Sequence, residues 1–298
     1  MLDRRAFLKT LGLGAAAALI SSPVLAAARK AEKSAPAAAA TDAAAPAAAP
    51  AVPADVGPRD SFDLYLLVGQ SNMAGRGAVA AEDKTPHPRV FKFTKDGTWA
   101  PATAPLHFDK PGAAGVGPGD GFGRAMAEKF PAVRIGLIPA AVGGTGITKW
   151  EPGVKDGTTK TVPYDDAIAR AKAAMKSGRL KGILWHQGEA DSGEPNATAY
   201  AERLTALVAR FRKDLDAPDV PFVAGALGDF TVAKNEAKGN HGARKVNETL
   251  AALTKTIKNY AFVSSEGLKE KGDNTHFDAA GARELGRRFA EAMAKLVK

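Results

Sequence analysis

The sequence predicts an α/β fold of three layers, in which a mainly parallel sheet of about five strands lies between two layers of helices. Two observations lead to this prediction. Apolar, β-prone runs alternate along the chain with amphipathic, alanine-rich segments. The first of those runs, residues 64–68, is apolar throughout and stops at Gly69. Strands that are covered on both faces of a parallel sheet have this pattern.

The predicted elements follow one another in a nearly regular order. Strands are expected at residues 62–68, 89–93, 133–139, 182–187 and 221–227, with a later one at 261–264. Helices are expected at 123–130, 164–176 and 198–215, at 241–258 after Asn240, and at 279–297 after Asp278. Residues 94–120 are rich in proline and glycine, so we expect them to be irregular.

The first 28 residues have the composition of an export signal. Arg4 and Arg5 precede an apolar run at 11–20, and small residues follow at 21–28. The paired arginines resemble a twin-arginine signal, and cleavage after Ala26 or Ala28 fits the usual pattern of small residues. We therefore expect a periplasmic or secreted protein with no stable membrane insertion after cleavage. An uncleaved helical anchor is the alternative, although the apolar run is shorter than a bilayer-spanning helix.

Residues 29–57 consist mostly of alanine and proline, without aromatic residues or hydrophobic periodicity. Such a segment is expected to be a disordered linker. The folded domain is therefore predicted to comprise residues 58–298, which is a reasonable size for one α/β domain.

Composition excludes several classes of function. The sequence contains no cysteine, which excludes a disulfide framework, a zinc–thiolate site and a thiol nucleophile. The formal net charge is +9, of which the signal region contributes +2 (Arg4, Arg5 and Lys9 against Asp3), leaving +7. The basic residues are dispersed over amphipathic segments, which favours a solvated basic surface over a nucleic-acid site. No nucleic-acid partner is expected, and the oligomeric state is left open.

Four loops that follow predicted strands or precede the last helix carry chemically useful side chains. They lie at residues 69–72, 141–146, 185–191 and 272–278. The carboxyl ends of parallel strands share one edge of a sheet, and ligands bind there in open α/β folds. The four loops are therefore predicted to converge on one site.

Ser71, His276 and Asp273 have the residue types of a nucleophilic triad. A serine hydroxyl needs a base, and the base needs an orienting carboxylate. Asp273 precedes His276 by three residues, a spacing that can place the carboxylate against Nδ1 while Nε2 faces Ser71. Alternatively, Asp273 or Asp278 caps the last helix and His276 lies on the surface. A metal site of Asp273, His276 and Asp278 finds no further ligands in the sequence, so neither a metal nor another cofactor is predicted.

Acyl transfer also needs hydrogen-bond donors aimed at the oxyanion of its tetrahedral intermediate. The sequence offers the backbone N–H of Ser71, a backbone N–H from Gly143 or Gly144, and the side-chain amide of Gln187. The glycine-rich stretch does not match the G-x-x-x-x-G-K-[ST] phosphate loop. The serine stretch does not match G-x-S-x-G, because Met73 occupies the last position.

Taken in order, the four stretches resemble the motif blocks of the SGNH (GDSL-type) hydrolases. The resemblance is to the sialate O-acetylesterase-like branch, which includes carbohydrate esterase family six. Residues 69–75 resemble that branch's nucleophile block, in which glutamine replaces the aspartate of other SGNH enzymes. Residues 143–145 resemble its glycine block, residues 185–189 its third block, and residues 273–276 its final Asp-x-x-His block.

The resemblance implies an SGNH/flavodoxin-like fold and a Ser71–His276–Asp273 triad. It implies an oxyanion hole formed by Ser71, one of Gly143 and Gly144, and Gln187, which stands where most SGNH enzymes have asparagine. It further implies a metal-free hydrolase that removes acetyl groups from carbohydrate hydroxyls.

Several neighbouring residues are candidates for supporting roles. Gln70 and Asn72 flank the serine and could support it or contact substrate. Glu189 and Asp191 could hold Gln187 or Asn72 in place, or could be exposed. Trp150 could flank a sugar ring, although a single tryptophan is more often a packing residue.

The functional prediction is a serine esterase that removes O-acetyl groups from a carbohydrate through an acetyl-enzyme intermediate. Two alternatives belong to other classes: a carbohydrate-binding module that has kept the fold without turnover, and an O-acetyltransferase. Xylan, sialic acid, peptidoglycan and other acetylated glycans all suit the prediction.

Overall fold

A computed structural model describes residues 54–297, which belong to one compact unit. Its centre is a seven-stranded sheet in the order β3-β2-β4-β1-β5-β6-β7. All neighbouring strands are parallel except β2 and β3. The strands are β1 (Phe62–Gly69), β2 (Val90–Phe93), β3 (Trp99–Pro101), β4 (Arg134–Pro139), β5 (Arg179–His186), β6 (Phe222–Gly225) and β7 (Tyr260–Val263).

Helices cover both faces of this sheet. They are α1 (Ser71–Ala74), α2 (Pro118–Lys129), α3 (Pro163–Ala174), α4 (Asn196–Asp214), α5 (Asp229–Glu236), α6 (Gly242–Ala252) and α7 (Ala279–Ala294). Along β1, Leu64, Leu66 and Val68 pack in one core with α3, α4 and α6. The alternate residues Tyr65 and Leu67 pack in the other core with α2 and α7. Because side chains alternate across a strand, one apolar run fills two cores, and the predicted three-layer α/β fold is confirmed.

The sheet has more strands than the sequence predicted. All six predicted strands are present, and β3 adds a seventh at the antiparallel edge. It lies inside the segment 94–120 that we expected to be irregular, and its three residues are too few to show a period.

Three helices differ clearly from the prediction. Helix α2, predicted at 123–130, begins five residues earlier, at Pro118. The sequence did not predict α5, which is short and weakly amphipathic. The helix predicted at 241–258 ends at Ala252, where a short 3-10 turn (Leu253–Lys255) follows. Asp278 caps α7 as predicted, because its carboxylate accepts the Gly281 N–H at 2.6 Å.

The predicted export signal at 1–28 lies outside the described residues, as does the predicted linker except for residues 54–57. Within residues 54–297, no helix has the length and apolar character needed to cross a bilayer.

The topology brings the ends of the central strands together. β1 lies between β4 and β5, and the register pairs Leu67 with Pro139 and Gly69 with His186. Gly69 has a φ of +129°, and a Cβ there would lie 2.1 Å from the His186 carbonyl oxygen. The sharp turn after β1 therefore requires glycine, and it delivers Ser71 to the shared edge of the sheet.

Candidate active site

Ser71 is the first residue of the short helix α1, directly after β1. The turn is held by the Gln70 N–H, which donates to the His186 carbonyl at 2.9 Å. As the first helical residue, Ser71 has a backbone N–H without an intrahelical acceptor. Its side chain lines a cleft of about 1,040 Å³ with parts of segments 76–79, 110–115, 143–144 and 271–276.

The structure brings Ser71, His276 and Asp273 into one line of hydrogen bonds. Ser71 Oγ lies 3.0 Å from His276 Nε2, and His276 Nδ1 lies 2.8 Å from Asp273 Oδ2. A carboxylate accepts, so Nδ1 carries the proton and Nε2 is left to accept from the serine hydroxyl. Ser71 is 205 residues from His276 in the sequence, whereas Asp273 and His276 belong to the same loop.

Asp273 is fixed by the loop that carries it, here called the histidine loop (residues 270–277). Its Oδ1 accepts the backbone N–H groups of Thr275 and His276 at 3.0 and 2.8 Å. Partial burial favours the neutral acid, but the hydrogen bonds from the side chain and backbone of His276 outweigh it and lower the pKa of Asp273 to about 2. The carboxylate is therefore charged at neutral pH and able to orient the imidazole.

Asn72 connects the serine helix to the histidine loop. Its Nδ2 donates to the Thr275 carbonyl at 3.0 Å, and its Oδ1 accepts the Phe277 N–H at 3.1 Å. The same Nδ2 donates to Glu189 Oε1 at 2.5 Å. Asn72 thus binds the residues directly before and after His276, and Glu189 in turn accepts a hydrogen bond from Asn72. The supporting roles considered for Asn72 and Glu189 therefore have a geometric basis, and Glu189 also lines the cleft.

The glycine loop (residues 141–146) places Gly143 and Gly144 differently. The Gly143 N–H donates to Asp109 Oδ2 at 2.8 Å, so it is not free to bind an oxyanion. This corrects the expectation that either glycine could donate. The Gly144 N–H has no partner among residues 54–297, and Gly144 lines the cleft with a φ of +84°.

The structure does not place Gln187 at the cleft, contrary to the sequence prediction. Its side chain is fully buried, and Nε2 donates to Gln70 Oε1, the Thr145 carbonyl and Asp191 Oδ2. Its Oε1 accepts the Tyr200 hydroxyl at 2.9 Å. These partners occupy the whole amide, so Gln187 braces neighbouring loops and does not contact substrate in this arrangement.

Gln70 lies directly beside the buried amide of Gln187. Its Oε1 accepts from Gln187 Nε2 at 3.1 Å and from the Ala190 N–H at 3.4 Å. These two donors fix the orientation of the amide, since only the oxygen can accept. Gln70 lines the cleft, and within the described part of the chain its Nε2 has no partner.

Asp191 braces the glycine loop. One of its oxygens, Oδ2, accepts both Gln187 Nε2 at 2.6 Å and the Ile147 N–H at 2.7 Å. The supporting role considered for Asp191 thus has a geometric basis, because its carboxylate ties the loop after β5 to the end of the glycine loop.

Trp150 is a core residue, and the expectation that it flanks a sugar is wrong. It is 0% exposed and its ring packs edge-on against Trp185 with centroids 5.3 Å apart. Its Nε1 donates to Thr145 Oγ1 at 3.2 Å. The indole therefore supports the glycine loop from beneath and has no face available for a ligand.

Among residues 54–297, no group of three or more histidine, aspartate or glutamate side chains has an arrangement able to hold a metal ion. The considered trio of Asp273, His276 and Asp278 is divided by other contacts. Asp273 binds His276, whereas Asp278 caps α7.

Sequence reasoning missed two residues of this site. Arg76 and Asp109 form a buried ion pair with Nη2 and Oδ2 2.8 Å apart, and Asp109 accepts from Gly143. Asp109 lies in the segment expected to be irregular, and no local pattern singles it out. Arg76 directly follows the last residue of the nucleophile block, Gly75, and this position was the one available signal.

The class of protein to which this fold and its cleft belong is the carboxylic ester hydrolases. A family model described as carbohydrate esterase, sialic acid-specific acetylesterase, matches residues 61–295. The chain belongs to this family, and it is a carbohydrate esterase that acts on acetylated carbohydrates.

Known proteins agree with this assignment. A probable carbohydrate esterase from Arabidopsis thaliana is 32% identical over 249 residues, which cover 77% of this chain and 89% of the relative. The crystal structure of that Arabidopsis protein aligns with a TM-score of 0.68 and 29% identity, over 79% of this chain and 98% of its own.

Two more distant structures share the fold. NanS aligns with a TM-score of 0.62 at 19% identity, covering 80% of this chain and 98% of its own. A carbohydrate acetylesterase from Xanthomonas citri aligns with a TM-score of 0.58 at 21% identity, covering 80% of this chain and 56% of its own.

Proposed function

We propose that this carbohydrate esterase is a serine enzyme that removes O-acetyl groups through a Ser71–His276–Asp273 triad. The observation that supports it is the unbroken line of hydrogen bonds from Ser71 Oγ through the imidazole to Asp273, with lengths of 3.0 and 2.8 Å. Nucleophile, base and orienting carboxylate are all within hydrogen-bond reach, which is the geometry that serine catalysis needs.

In the acylation step, Ser71 Oγ attacks the acetyl carbonyl carbon and His276 Nε2 accepts the hydroxyl proton. Asp273 holds the Nδ1–H and stabilises the imidazolium that forms. The tetrahedral intermediate then collapses, the bond to the sugar oxygen breaks, and His276 returns the proton to that oxygen. The sugar leaves as an alcohol and the acetyl group stays on Ser71.

Three donors around the cleft are suited to the oxyanion of that intermediate. They are the backbone N–H of Ser71, the backbone N–H of Gly144 and the Nε2 of Gln70. Each belongs to a residue that lines the cleft, and each lacks another acceptor among the described residues. Preorganised donors of this kind stabilise developing negative charge without reorganising during the reaction.

Deacylation repeats the chemistry with water as the nucleophile. His276 takes a proton from water, the hydroxide adds to the acetyl carbonyl, and Ser71 leaves with the proton that His276 returns. Acetate is released and the resting hydrogen bonds are restored. The same donors serve both tetrahedral intermediates, because both place their oxyanion at the same atom.

The shape of the cleft suits an acetyl group on a glycan. Its volume of about 1,040 Å³ lies at the upper end of the range for small-molecule sites. Gly112, Gly115, Gly143 and Gly144 are part of its lining, so backbone lies at the surface and a bulky sugar can approach closely. The family's description as sialic acid-specific acetylesterases supports acetylated sugars as the substrate class.

Ser71→Ala tests the assignment. We expect kcat on p-nitrophenyl acetate, and acetate release from acetylated xylan and O-acetylated sialic acid, to fall by about three or more orders of magnitude. The matched control is Ser61→Ala, since Ser61 Oγ donates to the Pro58 carbonyl outside the cleft. Labelling by a fluorophosphonate should be lost in the first variant and kept in the second. A Ser71→Ala protein that keeps most of its activity would refute the proposal.

A further inference from the structure

Arg76 and Asp109 form an ion pair at the wall of the cleft, where Arg76 is a lining residue and Asp109 lies behind it. The exposed fractions of the two side chains are 6% and 1%, and Arg76 Nη2 lies 2.8 Å from Asp109 Oδ2. Burial favours the neutral acid, but the hydrogen bonds from Arg76 and Gly143 keep the pKa of Asp109 below its ordinary value. Removal of either side chain would therefore leave the other as a buried charged group without its partner.

Each end of the pair is attached to a different part of the oxyanion-binding region. Arg76 Nη1 donates to the Gly75 carbonyl at 2.7 Å, and the Gly75 N–H donates to the Ser71 carbonyl at 2.9 Å. On the other side, Asp109 Oδ2 accepts the Gly143 N–H at 2.8 Å. One carboxylate oxygen therefore joins the serine helix to the glycine loop.

The glycine loop is shaped around this pair. A Cβ on Gly143 would lie 2.4 Å from Arg76 Nη2 and 2.8 Å from Asp109 Oδ2, so the ion pair packs directly against the backbone there. Because the Gly143 N–H donates to Asp109, it is this N–H, and not that of Gly144, that points away from the cleft. Gly144 follows with a φ of +84° and a free N–H.

We propose that the Arg76–Asp109 ion pair is a positioning device, which sets the Gly144 N–H at the correct distance from the Ser71 N–H so that both bind the oxyanion. Asp109 does not line the cleft and touches no reacting atom. It acts through Gly143, and Arg76 through Gly75. This inference rests on the proposed esterase function and assigns to the pair a role in transition-state binding.

Asp109→Ala and Asp109→Asn test the proposal against p-nitrophenyl acetate and phenylboronic acid. The boronate forms a tetrahedral adduct on serine and so reports the oxyanion site. For Asp109→Ala we expect kcat to fall about 10- to 100-fold, because an oxyanion donor is misplaced and not removed. The Ki of phenylboronic acid should rise by a similar factor, with KM within about threefold. Asp109→Asn, which keeps an acceptor for Gly143, should lose less than Asp109→Ala.

The control is Asp83→Asn, which breaks another buried carboxylate–guanidinium pair. Asp83 binds Arg283 through both oxygens at 2.8 and 2.9 Å, and neither residue lines the cleft. This variant should lower the melting temperature and leave kcat and boronate affinity unchanged. If the Asp109 variants behave in the same way, the pair is merely structural and the positioning proposal is overturned.

Gly143→Ala provides a second approach from the other side of the contact, useful if Asp109→Ala does not fold. Its methyl group displaces the Arg76 guanidinium, so the same weakening of phenylboronic acid binding is expected. A Gly143→Ala protein with wild-type boronate affinity would overturn the proposal. A wild-type protein without esterase activity or boronate binding would instead refute the proposed function, so the two failures are distinguishable.

Discussion

Asp273 illustrates how a partly exposed carboxylate can serve as the anchor of an active site. Its side chain is 38% exposed, yet two backbone N–H groups and the His276 ring hold it in one orientation. Lys271 Nζ, 3.6 Å from Oδ2, adds a nearby positive charge. These interactions favour the ionised form, so the orienting group of the triad is charged at neutral pH.

Asp273→Asn tests this anchor. An amide at position 273 cannot hold the Nδ1–H tautomer of His276 as a carboxylate does, so we expect kcat on p-nitrophenyl acetate to fall by about three to four orders of magnitude. The control is Asp219→Asn, because Asp219 is also an exposed carboxylate with a lowered pKa, held by Lys258. That variant should keep its kcat.

The Asp273→Asn variant should also change how the stability of the protein depends on pH. The folded pKa of Asp273, about 2, lies below its ordinary value of 3.8. The carboxylate therefore contributes stability that is complete above the ordinary pKa and is lost as the pH falls towards 2. Between pH 5 and 2, urea unfolding should show a smaller loss of stability for Asp273→Asn than for the wild type. An equal loss, or a kcat above about a tenth of the wild-type value, would contradict this account of Asp273.

At the scale of single residues, sequence reasoning succeeded where the chemistry is carried by residue type and local spacing. The Asp-x-x-His spacing allowed a pairing of Asp273 with His276 and left a surface position for His276 open, and the 2.8 Å contact between the two side chains agrees with the pairing. It failed for Gln187 and Trp150, because both were judged by what their side chains can do and not by what surrounds them. Burial and saturation of hydrogen bonds are properties of the assembled fold, and no local pattern encodes them.

At the scale of elements, the site depends on two short segments that have little stability of their own. Helix α1 has only four residues, and the histidine loop carries no helix or regular strand. An isolated turn of helix is not stable in water. The Asn72 amide, with its bonds to Thr275 and Phe277, supplies the contact that each segment lacks.

Asn72→Ala tests that link. We expect kcat to fall about 10- to 100-fold with little change in KM, because His276 is held less firmly relative to Ser71. Stability should fall by about 1–3 kcal/mol, since the Phe277 N–H and Glu189 lose a buried partner. Steady-state kinetics and urea unfolding measure both effects.

The control for this variant is Asn247→Ala. The Asn247 amide also bridges a strand end, since it accepts from the Leu227 N–H and donates to the Leu227 carbonyl at 2.8 and 3.0 Å. It should lose stability like Asn72→Ala but keep its kcat. Equal losses of kcat in the two variants would mean that Asn72 acts only through general stability.

The elements that sequence reasoning found are those with a clear hydrophobic period. The long helices α4 and α7 and the central strands were predicted close to their observed bounds. The three-residue strand β3 and the eight-residue helix α5 were missed, because neither is long enough for its period to show. Pairing with β2 creates β3, and such a contact is not visible in local sequence.

At the scale of the whole molecule, the described residues contain both cores, the complete sheet and every residue of the candidate site. Strand β1 is the shared wall of the two cores and also the element that presents Ser71. Stability and catalysis are thereby coupled through one central strand. Neither depends on a disulfide, because the sequence contains no cysteine.

We propose that residues 1–28 direct the chain out of the cytoplasm. Arg4 and Arg5, with the apolar run at 11–20, have the composition of a twin-arginine signal. That route carries proteins that are already folded, and the absence of cysteine means that folding before export needs no oxidising compartment.

A comparison of the full chain with a chain of residues 54–298 tests this division of roles. In a bacterial host, the full chain should accumulate outside the cytoplasm and an Arg4→Lys, Arg5→Lys variant inside it. The shorter chain should stay inside, yet keep kcat on p-nitrophenyl acetate within about twofold of the exported form, since all described contacts of the triad lie within it. Reducing agent should not change its melting temperature. Cell fractionation and kinetics decide the question: a full chain retained in the cytoplasm refutes the export proposal, whereas an inactive shorter chain shows that residues 1–53 contribute to the fold.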